Sequence, residues 1–125
     1  MQWKQYGKGK ENKMDNRIIN ILGTEYEIKS SEDIYKTLME SQNSGECDMY
    51  GKVISISPQE FIVKNDSRDD VRKSIYNICM RHEIIHAFFH EAGVDKYSAD
   101  ETLVDFIAMQ FPKMKELFEE VGCDD

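Results

Sequence analysis

The chain has 125 residues, of which 40% are hydrophobic and 32% charged, an ordinary composition for one soluble domain with a single core. A formal net charge of −8 leaves no basic stripe for a phosphate backbone, which argues against direct nucleic-acid binding. No apolar run reaches the length of a membrane span, no secretory pattern opens the chain, and Cys47, Cys79 and Cys123 include no C-x-x-C pair, so a cytoplasmic protein with free thiols is expected.

Residues 1–17 carry Lys4, Lys8, Lys10, Lys13 and Arg17 around Gly7 and Gly9 without periodicity, which reads as a solvated, poorly ordered basic leader before a single domain over 18–125. Ile18–Leu22 reads as a strand, Gly23-Thr24 as a turn and Tyr26–Ile28 as a second strand. Ser30 and Ser31 ahead of Glu32 and Asp33 mark the start of a helix. Ile34, Leu38 and either Tyr35 or Met39 should form its inner side, with the end near Ser41 and a loop over Gln42–Glu46. Strand character returns from Cys47 to Ile56, with Met49–Lys52 as a hairpin tip or bulge and Ser57-Pro58 closing it. Gln59–Val63 reads as a short further strand or an edge segment.

Asn65, Asp66 and Ser67 are suitable caps for a long helix from Arg68 to Ala92, ended by Gly93. After a loop over Val94–Tyr97, Ser98 is placed to cap a helix from Ala99 to Gln110. Pro112 suits the first turn of a last helix, Lys113 to Val121, with Leu117, Phe118 and Val121 inward and Gly122 at its end. Strands first and helices after predict an α+β fold.

Within the long helix stands His82-Glu83-Ile84-Ile85-His86, the pattern H-E-x-x-H. Residues four apart share one helix face about 6 Å apart along the axis, so both imidazoles can reach one ion. Glu83, one step round, can lean toward the open side of that ion, the position of a carboxylate base beside a water activated by zinc. Ile75, Ile78, Cys79, His82, Ile85, His86 and Phe89 follow a helical period, which puts the motif on the expected buried stripe.

A catalytic zinc needs a third protein ligand and an open position. The downstream candidates are His90, Glu91, Asp95, Asp100, Glu101 and Asp105. His90 and Glu91 lie a turn past His86 on the same helix, too far along the axis to close a site with His82. Glu101 opens a helix that can fold back after Gly93 and present its carboxylate, while Asp100 is an alternative at the same turn. Asp105, four residues on, can accept the Nδ1 proton of a ligand histidine. Tyr50 and Tyr97 are candidate oxyanion donors, although aromatic residues in such places more often pack.

His-Glu-Ile-Ile-His followed by Glu101-Thr-Leu-Val-Asp105 resembles the gluzincin pattern of H-E-x-x-H and a downstream E-x-x-x-D. The compact size is similar to the ImmA/IrrE-type metallopeptidase domains of bacteriophages and mobile elements. Ile21–Thr24, Gly45–Asp48 and Gln110–Lys113 resemble segments of small bacteriophage proteins. Val104 and Asp105 stand where ImmA/IrrE-type domains usually carry alanine and asparagine, so the broader gluzincin pattern is the closer fit. The resemblance implies a minimal zincin-like fold, a small twisted sheet on the motif helix with the third-ligand helix beside it. It implies a zinc metallopeptidase acting on a protein or peptide, with His82, His86 and Glu101 on Zn2+, Glu83 as base and Asp105 behind a ligand. The alternative expectation is a non-catalytic zinc protein that regulates a host or phage partner, its metal closed by a fourth protein ligand such as His90 or Asp95.

Overall fold

The computed structural model describes residues 16–62 and 68–125. Its fold is α+β, a four-stranded sheet with helices that include one 23-residue helix. Strands β1 (Arg17–Ile21) and β2 (Thr24–Lys29) form an antiparallel hairpin, and β3 (Gly45–Asp48) and β4 (Val53–Ile56) form another. The order β1-β2-β4-β3 joins the hairpins through a parallel β2–β4 pair, and β3 lies at one edge. Arg17 already pairs with Ile28, so the first strand begins inside the segment expected to be leader. The rest of that leader, 1–15, lies outside the described residues, as do the expected caps Asn65, Asp66 and Ser67.

Alternation along the strands decides what faces inward. Ile21, Tyr26, Ile28, Ile54 and Ile56 are buried on one side of the sheet, and helix α3 (Asp69–Glu91) presses Met80 and Ala87 into them, with Tyr76, Cys79 and Ile84 packed around. The buried line of α3 therefore runs through Met80, Glu83 and Ala87 rather than through the two motif histidines, which stand half-buried on its flank. Helix α1 (Glu32–Glu40) begins as expected, with Ser31 Oγ accepting from the Ile34 amide at 3.1 Å. It buries Tyr35 and Leu38 and leaves Met39 exposed.

Three expected elements differ. Gln59–Ile62 is a short helix, α2, not a strand: Pro58 precedes it with φ set for a first turn, and its carbonyl accepts from the Phe61 amide at 3.0 Å. The expected loop over Val94–Tyr97 holds a helical turn, α4 (Asp95–Ser98). The last helix, α5, is capped by Asp100, whose side chain accepts from the Leu103 amide at 3.1 Å, and not by Ser98.

Helix α5 runs unbroken from Glu101 to Val121 with Pro112 inside it, where a break between two helices was expected. Proline cannot donate to the carbonyl four residues back, here that of Ala108. Arg81 Nε of α3 donates to that carbonyl at 2.7 Å, which removes the orphaned acceptor and ties α3 to α5 at one point. Leu117, Phe118 and Val121, expected to point inward, are exposed.

The other end of α3 is held to the sheet by Glu91, which accepts from Thr24 Oγ1 at 2.9 Å, Tyr26 Oη at 2.7 Å and Lys52 Nζ at 2.7 Å. The Lys52 ammonium and the hydroxyls hold the Glu91 carboxyl down at about 2. Just beyond, Gly93 takes φ of 83°, and the Val94 amide bonds the Phe89 carbonyl at 3.0 Å. A side chain would be strained in that left-handed turn, which reverses the chain toward α5.

Two consequences are measurable. Replacing Arg81 with Met should leave the Ala108 carbonyl unpaired and cost about 1–3 kcal/mol in urea unfolding; an unchanged midpoint would mean that Pro112 needs no outside donor. Because the folded Glu91 carboxyl titrates near 2 against an ordinary 4.5, its contribution is complete above the unfolded value and disappears as pH falls through the folded one. Wild type and Glu91→Gln should thus differ most at neutral pH and converge toward pH 2 in denaturation followed by circular dichroism.

Candidate metal centre

The turn at Gly93 and the clamp at Arg81 lay the first turns of α5 against the middle of α3, and this juxtaposition builds the site. His82 and His86, one helical turn apart on α3, face the carboxylate of Glu101 at the start of α5. His82 Nε2 is 3.0 Å from His86 Nε2 and 3.1 Å from Glu101 Oε1, and His86 Nε2 is 3.3 Å from Glu101 Oε2. The three residues form the group of ligand atoms that could hold a metal ion among the described residues.

The hydrogen bonds behind the rings determine which nitrogens carry protons. His82 Nδ1 lies 2.8 Å from Asp105 Oδ1, an acceptor, so that nitrogen holds its proton. His86 Nδ1 lies 3.3 Å from Ser98 Oγ, and the His86 carbonyl at 3.0 Å is a better acceptor for the Ser98 hydroxyl than Met49 Sδ at 3.4 Å. With its proton so used, the serine oxygen accepts from His86 Nδ1. With both Nδ1 atoms engaged, both rings turn Nε2 toward one point, opposite a carboxylate. Atoms so arranged repel unless a positive charge, a proton or a metal ion, lies between them. Bonds of about 2.0–2.2 Å in a tetrahedral set keep ligand atoms roughly 3.3–3.6 Å apart. The observed separations need only a few tenths of an ångström of adjustment to match, so the donor set fits a divalent metal.

Glu83 lies beside this point with only 8% of its surface exposed, and it has no hydrogen-bond partner among the described residues. Burial raises its carboxyl above the ordinary range, and the nearby carboxylates of Glu101, Glu46 and Asp105 add to the rise against the opposing pull of His82. A buried carboxylate without a donor is costly, and a proton or a water held by an adjacent cation would satisfy it. The approach of β3 is what closes Glu83 in. A Cβ on Gly45 would stand 3.1 Å from both Cγ and Oε2 of Glu83 and 3.2 Å from Cδ1 of Ile56, so a larger residue there would have to push these side chains by a few tenths of an ångström.

These groups line a cleft of about 620 Å³ between α3, α4, the start of α5 and strand β3. Glu46, Cys47, Met49 and Tyr50 form its sheet side. The Cys47 thiol is pushed up to about 12, first by burial and then by Glu83, so it stays protonated and is a poor nucleophile.

The remaining candidates are assigned elsewhere. Glu91 anchors α3 to the sheet, Asp100 caps α5, and Asp95 is 2.7 Å from His90 Nδ1, so neither member of that pair turns into the ligand group. Tyr50 is exposed at the cleft rim, edge-on to His90, whereas Tyr97 packs edge-on against Phe89 and does not line the cleft. Ser98 and Gly45 contribute to the site in ways the sequence reading missed. Ser98 lies 12 positions from His86 and has no motif to mark it; Gly45 looked like an ordinary loop glycine. No protein family, curated protein or solved structure significantly matches this chain.

Protein purified without a histidine tag should carry close to one metal ion per chain, and His86→Ala should lose it. Asp105→Asn should retain the ion but bind it about 10–100-fold more weakly in competition with a chelator. Unaltered affinity in that variant would reduce Asp105 to a charge on the helix surface.

Proposed function

We propose that this protein is a zinc-dependent peptidase with a minimal zincin-like arrangement, hydrolysing a peptide bond in the cleft beside β3. The observation that carries the reading is the buried carboxyl of Glu83, without a hydrogen-bond donor among the described residues, next to the converging Nε2 atoms of His82 and His86 and to Glu101. Two neutral imidazoles and one carboxylate suit zinc, which takes nitrogen and oxygen donors and tolerates a three-residue protein set. When bound, such a metal supplies Lewis acidity, acidifying water and polarising a carbonyl group.

The chain's own groups would perform the remaining work. Asp105 and Ser98 keep the Nδ1 protons of His82 and His86 in place, so both Nε2 atoms stay available as donors. Glu83, raised toward neutral pH by burial, can take a proton at its carboxylate and return it to a leaving amine. The close approach of Gly45 restricts its orientation. The outer edge of β3 offers main-chain donors and acceptors along the cleft, to which an extended peptide could add as a further strand. Neither His90 nor Asp95 belongs to the group of ligand atoms found among the described residues, which supports a catalytic rather than a closed structural site.

The test is hydrolysis of a mixed fluorogenic peptide library by zinc-loaded, untagged protein. Glu83→Gln should retain stoichiometric zinc and lose on the order of 10²–10⁴-fold in rate. Full activity in that variant would remove Glu83 as the base, and a metal-loaded wild type inert toward the whole library would overturn the peptidase reading.

A further inference from the structure

A different part of the molecule points to a partner. From Phe111 to the end of the chain every residue is exposed, although α5 continues as regular helix to Val121. At 100° per residue, Phe106, Phe111, Met114, Leu117, Phe118 and Val121 fall within an arc of roughly 140°. This is the breadth of a face made for burial, yet Phe106 is 58%, Leu117 55% and Val121 69% exposed. Taking aromatic side chains at about 150–250 Å² each and the others somewhat smaller, the six leave on the order of 550 Å² of apolar surface open. That is at the upper end of the largest patches, about 300–600 Å², found on monomeric proteins.

The charges beside this face indicate what covers it. Lys113 borders one side of the arc and Lys115 the other, and one to two turns further along the same borders carry Glu120 and Glu119. A parallel neighbour of the same sequence would set acid beside acid. An antiparallel copy centred near Glu116 and Leu117 would bring Lys113 against the second copy's Glu120, while Lys115 keeps its 2.8 Å ion pair with Glu119 of its own helix, and would also oppose the helix dipoles. A copy centred there ends short of Phe106, so the other five residues of each face, taken on the same areas, bury about 900 Å² of apolar surface in the pair before flanking polar atoms are counted, against the roughly 1,200 Å² total at which stable interfaces begin. Five acidic residues over Glu116–Asp125 disfavour an anionic lipid surface as the alternative cover.

We propose that the C-terminal half of α5 is a dimerisation helix, which pairs with the same segment of a second copy in antiparallel, two-fold symmetric fashion. This pairing lies away from the metal cleft and does not depend on the peptidase reading.

Sedimentation equilibrium across a dilution series should show the wild type at twice the 14.6 kDa chain mass. Met114→Glu combined with Phe118→Glu, both at exposed positions, should halve that mass while leaving helix content and metal stoichiometry unchanged. Orientation can be read from a nitroxide on Cys123, the exposed thiol; Cys47 and Cys79 are half-buried and should be left unlabelled. Antiparallel pairing places the two labels about 20 Å apart along the axis, whereas parallel pairing leaves them about 10 Å apart, side by side. A wild type that stays monomeric at every concentration would overturn the proposal, as would a dimer insensitive to the double variant or one with the shorter label distance. Co-sedimentation of monomer with zwitterionic vesicles would instead assign the face to a lipid surface.

Discussion

The structure turns on the convergence of two imidazole Nε2 atoms and a carboxylate on one point. Because Asp105 and Ser98 each engage an Nδ1 atom, both Nε2 atoms face the gap, and Glu101 adds negative charge to the same point. An arrangement of this kind calls for positive charge at that point, which a proton or a metal ion supplies. The three supports come from three helices: α3 supplies the rings, α4 the serine, and α5 both carboxylates. The site is therefore only as well formed as the packing that holds those helices in register.

That packing relies on a few polar contacts at defined points. Arg81, adjacent in sequence to His82, satisfies the carbonyl that Pro112 leaves without a donor, so the residue that steadies α5 sits one position from a histidine of the candidate site. Glu91 secures the far end of α3 to both hairpins by bonding Thr24 and Tyr26 of β2 and Lys52 of the β3–β4 turn. Between these anchors, Met80 and Ala87 bury against the sheet, and Glu83 occupies the same inward line. A carboxylate has been placed where the fold would otherwise put an apolar side chain. Its high proton affinity follows from that position.

The cleft and the end of α5 illustrate two kinds of exposed surface. The cleft is mixed and concave, with acids and a half-buried thiol around one strand edge, which suits a small polar or extended ligand. The end of α5 is convex and apolar on one side and charged on the other, which suits a matching helix. The first two turns of α5 bring Glu101 and Asp105 to the two histidines, so any partner of the helix acts on an element that also carries residues of the candidate site.

Local spacing made much of the site legible. The four-residue interval between His82 and His86 needs only a helix to put both rings on one face, and the same interval relates Glu101 to Asp105. The first hairpin, the Ser31 cap and the Gly93 stop were likewise legible, since turns and caps are decided by residues a few positions apart. Two elements differed for opposite reasons: Pro112 signalled a break, but the donor that cancels it comes from distant residue 81, whereas Gln59–Ile62 had strand-like composition and the adjacent Pro58 set a helical turn instead. The side of α3 that faces inward, the parallel β2–β4 pair, the serine behind His86 and the glycine space for Glu83 were decided by tertiary packing alone. Sequence periodicity carries information over one or two turns. Proton positions and close approaches arise only when elements far apart in the chain meet.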